Sequence, residues 1–173
     1  MDQLWAPWRL AYVTTAQPPT AADSCFLCNG LAADEDPANL IIWRAPRSVV
    51  VLNRFPYNNG HLLIAPRAHK GRLDELDASE MLETMETMRR MVGVLDDLMR
   101  PDGYNIGLNL GRAAGAGLPG HLHWHVVPRW NGDTNFMPIL ADAKVIVQSR
   151  EALYDLLTAR LQSSGEWRVA SGE

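Results

Sequence analysis

Gly120-His121-Leu122-His123-Trp124-His125-Val126-Val127-Pro128-Arg129 sets three of the chain's five histidines at alternate positions inside an aliphatic and aromatic run. A β-strand turns every second side chain to one face, so the spacing predicts three imidazoles on a shared surface. Imidazole titrates near neutrality and can serve as nucleophile, acid or metal ligand without extreme tuning. One histidine on an apolar strand reads as a packed core residue, whereas three in strict alternation read as a site.

Working upstream, residues 112–120 with Gly111 form a glycine-rich loop holding Gly111, Gly115, Gly117 and Gly120, which lets backbone N–H groups approach a ligand. Tyr104 to Asn109 reads as a strand. Before it, Met81, Met85, Met88, Met91 or Val92, Leu95 and Leu98 recur at spacings of three and four, predicting a long helix whose methionine stripe is core. Asp77 with Glu80 makes a capping box at its start, and Pro101-Asp102-Gly103 stops it. Strands follow from the β-branched and aliphatic runs Leu40 to Trp43, Ser48 to Asn53 and His61 to Ala65, the last two joined through Pro56-Tyr57-Asn58-Asn59-Gly60. An amphipathic helix is expected from about Arg150 to Leu161. This order predicts an α+β fold: an antiparallel sheet of about five strands, a long helix packed on one face and a C-terminal helix.

At 173 residues the chain suits one domain, and a hydrophobic fraction of 47% is ample for a packed core. Lys+Arg 16 against Asp+Glu 20 gives a net charge of -4 and no broad basic face for a nucleic-acid backbone, so a phosphate ligand must be held by local groups. No apolar run is as long as a membrane span, and residues 1–10 lack the pattern of a signal peptide; the expectation is a cytoplasmic protein with no membrane partner. Residues 1–23 read as an arm whose Trp5 and Trp8 suit packing on the core or on a second subunit, with an ordinary core strand as the alternative.

The only cysteines form Cys25-Phe26-Leu27-Cys28. In a reducing compartment such a pair binds metal, runs redox chemistry or is simply two buried thiols. Two thiolates are half of a tetrahedral zinc site, and His69 and His121 are the candidates for the other half. A thioredoxin-type pair should open a helix after a strand, and this one comes after the Pro-, Thr- and Ala-rich stretch Gln17 to Asp23.

The His-x-His-x-His-x-x pattern of His121 to Val127, with apolar residues between, resembles the motif that defines the histidine triad (HIT) superfamily. Asn53 to Pro66 is similar to the strand, turn and strand that carry the other half of a HIT nucleotide pocket, and Pro128 to Asp133 resembles the segment after the triad in the fragile-histidine-triad branch. The resemblance covers about Cys25 to Lys144, with a HIT domain over 24–162 and a tail over 163–173. Asn105 to Gly111 and His125 to Phe136 are closer still to bacterial diadenosine tetraphosphate phosphorylases. Two features depart from single branches: Asn109, with Ala116 or Gly117, stands where the hydrolases carry glutamines, and the Cys25/Cys28 pair is more like the zinc-binding bacterial members.

The resemblance implies cleavage of dinucleoside polyphosphates (Ap4A, Ap3A) through a nucleotidyl-histidine, with phosphate preferred over water as acceptor. It makes His123 the nucleophile, His125 a donor to a phosphate or leaving-group oxygen, and His61 an accessory histidine. Asn53 would bind a ribose hydroxyl; Asn109, Gly111, Gly115 and Gly117 would surround phosphate oxygens, with Arg112 and Lys144 at outer phosphates. Cys25, Cys28, His69 and His121 would hold a structural zinc, Mg2+ could accompany the polyphosphate, and the chain would form a homodimer or a tetramer. Hydrolysis, phosphoramidate cleavage and a non-catalytic nucleotide-binding or scaffold role are the alternatives.

Overall fold

The computed structural model describes residues 25–33, 35–134 and 146–163. Within them, β1 (Ile41–Arg44), β2 (Ser48–Leu52), β3 (Leu62–Pro66), β4 (Gly103–Leu108) and β5 (Trp124–Arg129) form one antiparallel sheet in the order β1-β2-β3-β5-β4. The expected meander is present in β1 to β3. β5 then inserts between β3 and β4, pairing Leu63 with His125 on one side and Gly107 with His125 on the other.

Side-chain alternation divides the core into two layers. Ile42, Val50, Leu52, Leu62, Ile64, Trp124 and Val126 pack with Met88, Met91 and Leu95 of α3 (Ala78–Met99) and with Leu153, Leu157 and Leu161 of α4 (Arg150–Ser163). On the other layer lie Ile41, Val49, Val51, Leu63 and Ala65 with Leu118, with Leu27 of α1 (Phe26–Ala32) and with Cys25, which caps that helix. His125 stands opposite Leu63, so the histidine face is the one that the long helix leaves uncovered.

The capping box of α3 is present: Asp77 accepts from the Glu80 backbone at 2.8 Å, and Glu80 accepts from the Asp77 backbone at 2.8 Å. Glu80 also takes the Lys70 ammonium at 2.6 Å, while the Lys70 carbonyl accepts the Leu122 N–H at 2.7 Å, so the helix start is tied to the histidine segment. The helix closes at Arg100, whose φ of 47° is left-handed, just before Pro101.

Three expectations need correction. Met85 is 38% exposed and not in the core stripe; the buried face runs through Thr84, Thr87, Met88, Met91 and Leu95. The helix is turned this way because fully buried Ser48 must be satisfied, and Thr87 Oγ1 meets its hydroxyl at 2.9 Å while Glu83 accepts from it at 3.1 Å. Leu40 does not begin a strand; with φ 58° it caps α2 (Asp36–Asn39), its N–H pointing back to the Asp36 and Pro37 carbonyls. Neither α1 nor α2 has enough turns to display an apolar period, so neither is legible in the sequence. Finally, the third strand starts at Leu62 and β5 starts only at Trp124, leaving His61, His121 and His123 just ahead of their strands.

Candidate functional site

Because β5 begins at Trp124, only His125 of the three alternating histidines is held by the sheet ladder, and the three imidazoles divide between two tasks. His121, fully buried, turns toward the cysteine pair; His123 and His125 pack ring to ring at 5.2 Å, and His125 packs against His61 at 5.1 Å.

Hydrogen bonds assign the tautomers of the second group. The Tyr57 N–H donates to His61 Nδ1 at 2.9 Å, which leaves the His61 proton on Nε2, donated to His125 Nδ1 at 2.9 Å. The remaining proton of His125 then sits on Nε2, a buried atom with no hydrogen-bond partner among the described residues. An unsatisfied buried donor costs about 1–3 kcal/mol, and here it stands beside His123. His123 is 6% exposed and donates from Nδ1 to the His121 carbonyl at 2.8 Å, which leaves Nε2 as its basic nitrogen. Burial holds the pKa of His123 below the ordinary imidazole value, and burial together with the neighbouring His123 takes His125 down to about 4, so both rings are neutral at pH 7.

His61 is seated by the turn ahead of it. Gly60 takes a φ of 75°, and a Cβ there would lie 2.9 Å from Met99 Sδ and 3.0 Å from Pro128 Cγ, so a side chain would be both strained and crowded. Asn58 donates to the Pro128 carbonyl at 3.1 Å and to Asp133 at 2.8 Å, while Arg129 forks onto the same carboxylate at 2.6 and 2.8 Å. That Arg129 fork holds the Asp133 carboxyl well below the usual carboxylate range. The Asn58–Asp133 clamp, which no local pattern in the sequence signals, joins the turn before His61 to the turn after β5.

Asn53 Oδ1 accepts the Phe55 N–H at 2.9 Å and its Nδ2 lies 3.1 Å from His61 Nδ1, placing Asn53 against the histidine group. Asn109 follows directly on Leu108, the last residue of β4, which pairs with Trp124 beside His123. The next loop turns through Gly111 and Gly115, both at positive φ, around a short 3-10 turn, Arg112–Ala114, whose Arg112 is exposed. Lys144, Trp5 and Trp8 lie outside the described residues. A cleft of about 540 Å3 lined by Leu40, Arg54, Arg150 and Tyr154 contains none of the histidines.

The other group is a cluster of Cys25, Cys28, His69 and His121, whose ligand atoms all lie within 4.8 Å of one another. The cysteines open a helix: Cys25 is the N-cap of α1, and its sulfur accepts the Cys28 N–H at 3.5 Å. Yet two imidazole nitrogens converge on the sulfurs, with Cys25 Sγ to His121 Nδ1 at 3.3 Å, Cys28 Sγ to His69 Nδ1 at 3.2 Å and Cys28 Sγ to His121 Nδ1 at 3.5 Å. Zn–S of about 2.3 Å and Zn–N of about 2.0 Å in a tetrahedron imply sulfur–nitrogen edges of about 3.5 Å, so the donor set fits a dication. His121 donates from Nε2 to the Pro66 carbonyl at 2.8 Å, which directs Nδ1 at the sulfurs. Burial, then the adjacent Cys25, push the Cys28 thiol up to about 11; a bound cation would oppose both effects by favouring thiolate.

Comparison with known proteins agrees with this architecture. The model of the HIT domain matches residues 34–132. A Mycobacterium tuberculosis protein named AP-4-A phosphorylase is 38% identical over 152 residues, covering 86% of this chain and 78% of its own length. A Schizosaccharomyces pombe protein named bis(5'-nucleosyl)-tetraphosphatase (asymmetrical) is 30% identical over 93 residues, covering 54% of this chain and 50% of its own. Among solved structures, a Zn-bound histidine triad family protein from Mycobacterium smegmatis superposes with a TM-score of 0.66 at 25% identity, covering 86% of this chain and all of that one. With the family model spanning more than half of the sequence and a relative 38% identical over most of both chains, the chain belongs to the HIT domain family.

Proposed function

We propose that the protein is a nucleotidyl-transferring enzyme that cleaves dinucleoside polyphosphates such as Ap4A or Ap3A, passing AMP through His123 to inorganic phosphate. The observation that carries the reading is the pairing of a neutral His123, its Nδ1 tied to the His121 carbonyl, with a His125 Nε2–H that has no partner of its own among the described residues. In this reading His123 Nε2 attacks the α-phosphorus, the P–O bond to the departing nucleotide breaks, and His125 donates its hydrogen bond to the oxygen that leaves. Phosphate oxygen then attacks the same phosphorus, the P–N bond breaks, and His123 is restored; from Ap4A the products are ATP and ADP. Splitting the displacement in two lets a fixed, neutral imidazole work twice. The loop from Asn109 to Gly117 supplies backbone N–H groups and Asn53 a ribose contact.

Phosphate is the preferred acceptor because the 38% identical relative carries the name AP-4-A phosphorylase. Water is the second reading, favoured by the relative named as an asymmetrical tetraphosphatase. Product analysis of Ap4A cleavage with and without phosphate decides between them: ADP with ATP is expected when phosphate is present, and AMP with ATP under both conditions makes the enzyme a hydrolase. A much faster release of AMP from adenosine 5'-phosphoramidate than from Ap4A would make it a phosphoramidase, and failure to turn over any of these would leave a nucleotide-binding protein. The four-ligand cluster is assigned to a structural zinc, because two cysteines and two histidines close the coordination shell. The setting in this reading is the cytoplasm; no described helix is long and apolar enough to cross a membrane.

A further inference from the structure

The connection from β2 to β3 exposes two aromatic side chains, Phe55 at 80% and Tyr57 at 50%. Large aromatic rings held in water are unfavourable unless something covers them, and these are not on a loose loop. The backbone N–H of each is pinned, Phe55 to Asn53 Oδ1 and Tyr57 to His61 Nδ1, both at 2.9 Å. The Tyr57 ring is inclined at 29° to both imidazoles, with centroids 4.8 Å from His61 and 5.6 Å from His125. A series of rings therefore runs from His123 to His125 at 5.2 Å and on to Tyr57, with Phe55 two residues away.

The order of that series indicates what covers the rings. His123 is the nucleophile of the proposed transfer, and in that reading His125 Nε2–H, which has no hydrogen-bond partner among the described residues, stabilises the departing oxygen. Tyr57 lies against that same ring, its centroid 5.6 Å from that of His125. When the leaving group is a nucleoside polyphosphate it ends in a flat heteroaromatic base, which stacks on any exposed aromatic ring with little regard to base identity.

Resting on the nucleotidyl-transfer reading, we propose that Phe55 and Tyr57 form an aromatic platform for the base of the departing nucleotide, so that the site selects dinucleoside polyphosphates over mononucleoside ones.

The test compares Ap4A with adenosine 5'-tetraphosphate, which carries the same phosphate chain and lacks the second nucleoside. The wild-type protein is expected to prefer Ap4A by about tenfold in KM with little difference in kcat, the scale of one base–aromatic stack. The Phe55→Ser/Tyr57→Ser double variant should lose that preference, and Tyr57→Phe, which keeps the ring over His61 and His125, should retain it. A preference unchanged in the double variant, or two substrates impaired equally, overturns the platform. Size-exclusion showing that Phe55→Ser dissociates an oligomer also overturns it, since Phe55 would then cover a subunit contact. Equilibrium titration of the same two compounds into His123→Asn protein reads the platform without chemistry. If the wild type cleaves neither compound while the titration still favours Ap4A and the added Phe55→Ser change abolishes that, the enzymatic reading fails and the platform stands; cleavage of both with equal affinity has the opposite meaning.

Discussion

At the scale of single residues, the division of labour rests on which nitrogen of each imidazole carries the proton. In the proposed transfer His123 has only Nε2 available to attack phosphorus, since Nδ1 is committed to the His121 carbonyl. Replacing it by Asn keeps a donor of similar reach and removes the nucleophile, so single-turnover transfer of AMP from Ap4A should fall by a factor on the order of 10^4 or more; a His123→Asn protein with wild-type transfer would sink the assignment. His125 bears on stability as well. Its pKa is lowered from 6.5 to about 4, first by burial and then by His123, so between those values the unfolded chain binds a proton that the native ring does not. Its contribution is intact above about pH 6.5 and is lost as the pH falls toward about 4. Melting temperature should decline through that window, and the decline should be shallower in His125→Gln; equal slopes for the two proteins would count against a buried neutral His125.

Among the elements, the turn before β3 and the segment capping α1 carry the site. Gly60 combines a left-handed backbone with a wall formed by Met99 and Pro128. Gly60→Ala should therefore cost about 2 kcal/mol or more, the left-handed penalty plus the contact, and should loosen His61 from His125. A denaturant midpoint within error of the wild type would show that the turn yields. The α1 cap depends on Cys25, whose sulfur faces both the Cys28 N–H and His121. The zinc assignment predicts close to one metal per chain by elemental analysis, with Cys25→Ser losing metal and lowering the melting temperature. If chelation leaves the melting temperature unchanged, His121 serves only to hold its carbonyl toward His123.

For the whole molecule, β4 stands at one end of the sheet, with Asn105, Ile106 and Gly107 all exposed. A homodimer is the expected assembly, and tetramers are its extension. Light scattering across micromolar concentrations should give at least twice the 19.2 kDa of one chain; a monomer throughout that range removes the proposal. The aromatic arm at Trp5 and Trp8, which suits packing on the core or on a second subunit, lies outside the described residues, and the effect of its deletion on the same measurement tests the second of these.

The alternation of His121, His123 and His125, the Asp77/Glu80 capping box and the turn ahead of His61 were all legible in the sequence, because each is a local pattern set by the geometry of two to five consecutive residues. The α+β class came from the order of such patterns. What they could not contain was which strand lies beside which: β5 enters between β3 and β4, and only that pairing brings His61 within 2.9 Å of His125 across 64 residues. The same holds for the helix face, where buried Ser48 calls for Thr87 and turns Met85 outward, and for Asp133, which becomes a clamp only when the chain returns to Asn58. Periodicity is a property of neighbours along the chain, whereas satisfying a buried hydroxyl or choosing a tautomer depends on a partner that folding brings from far away.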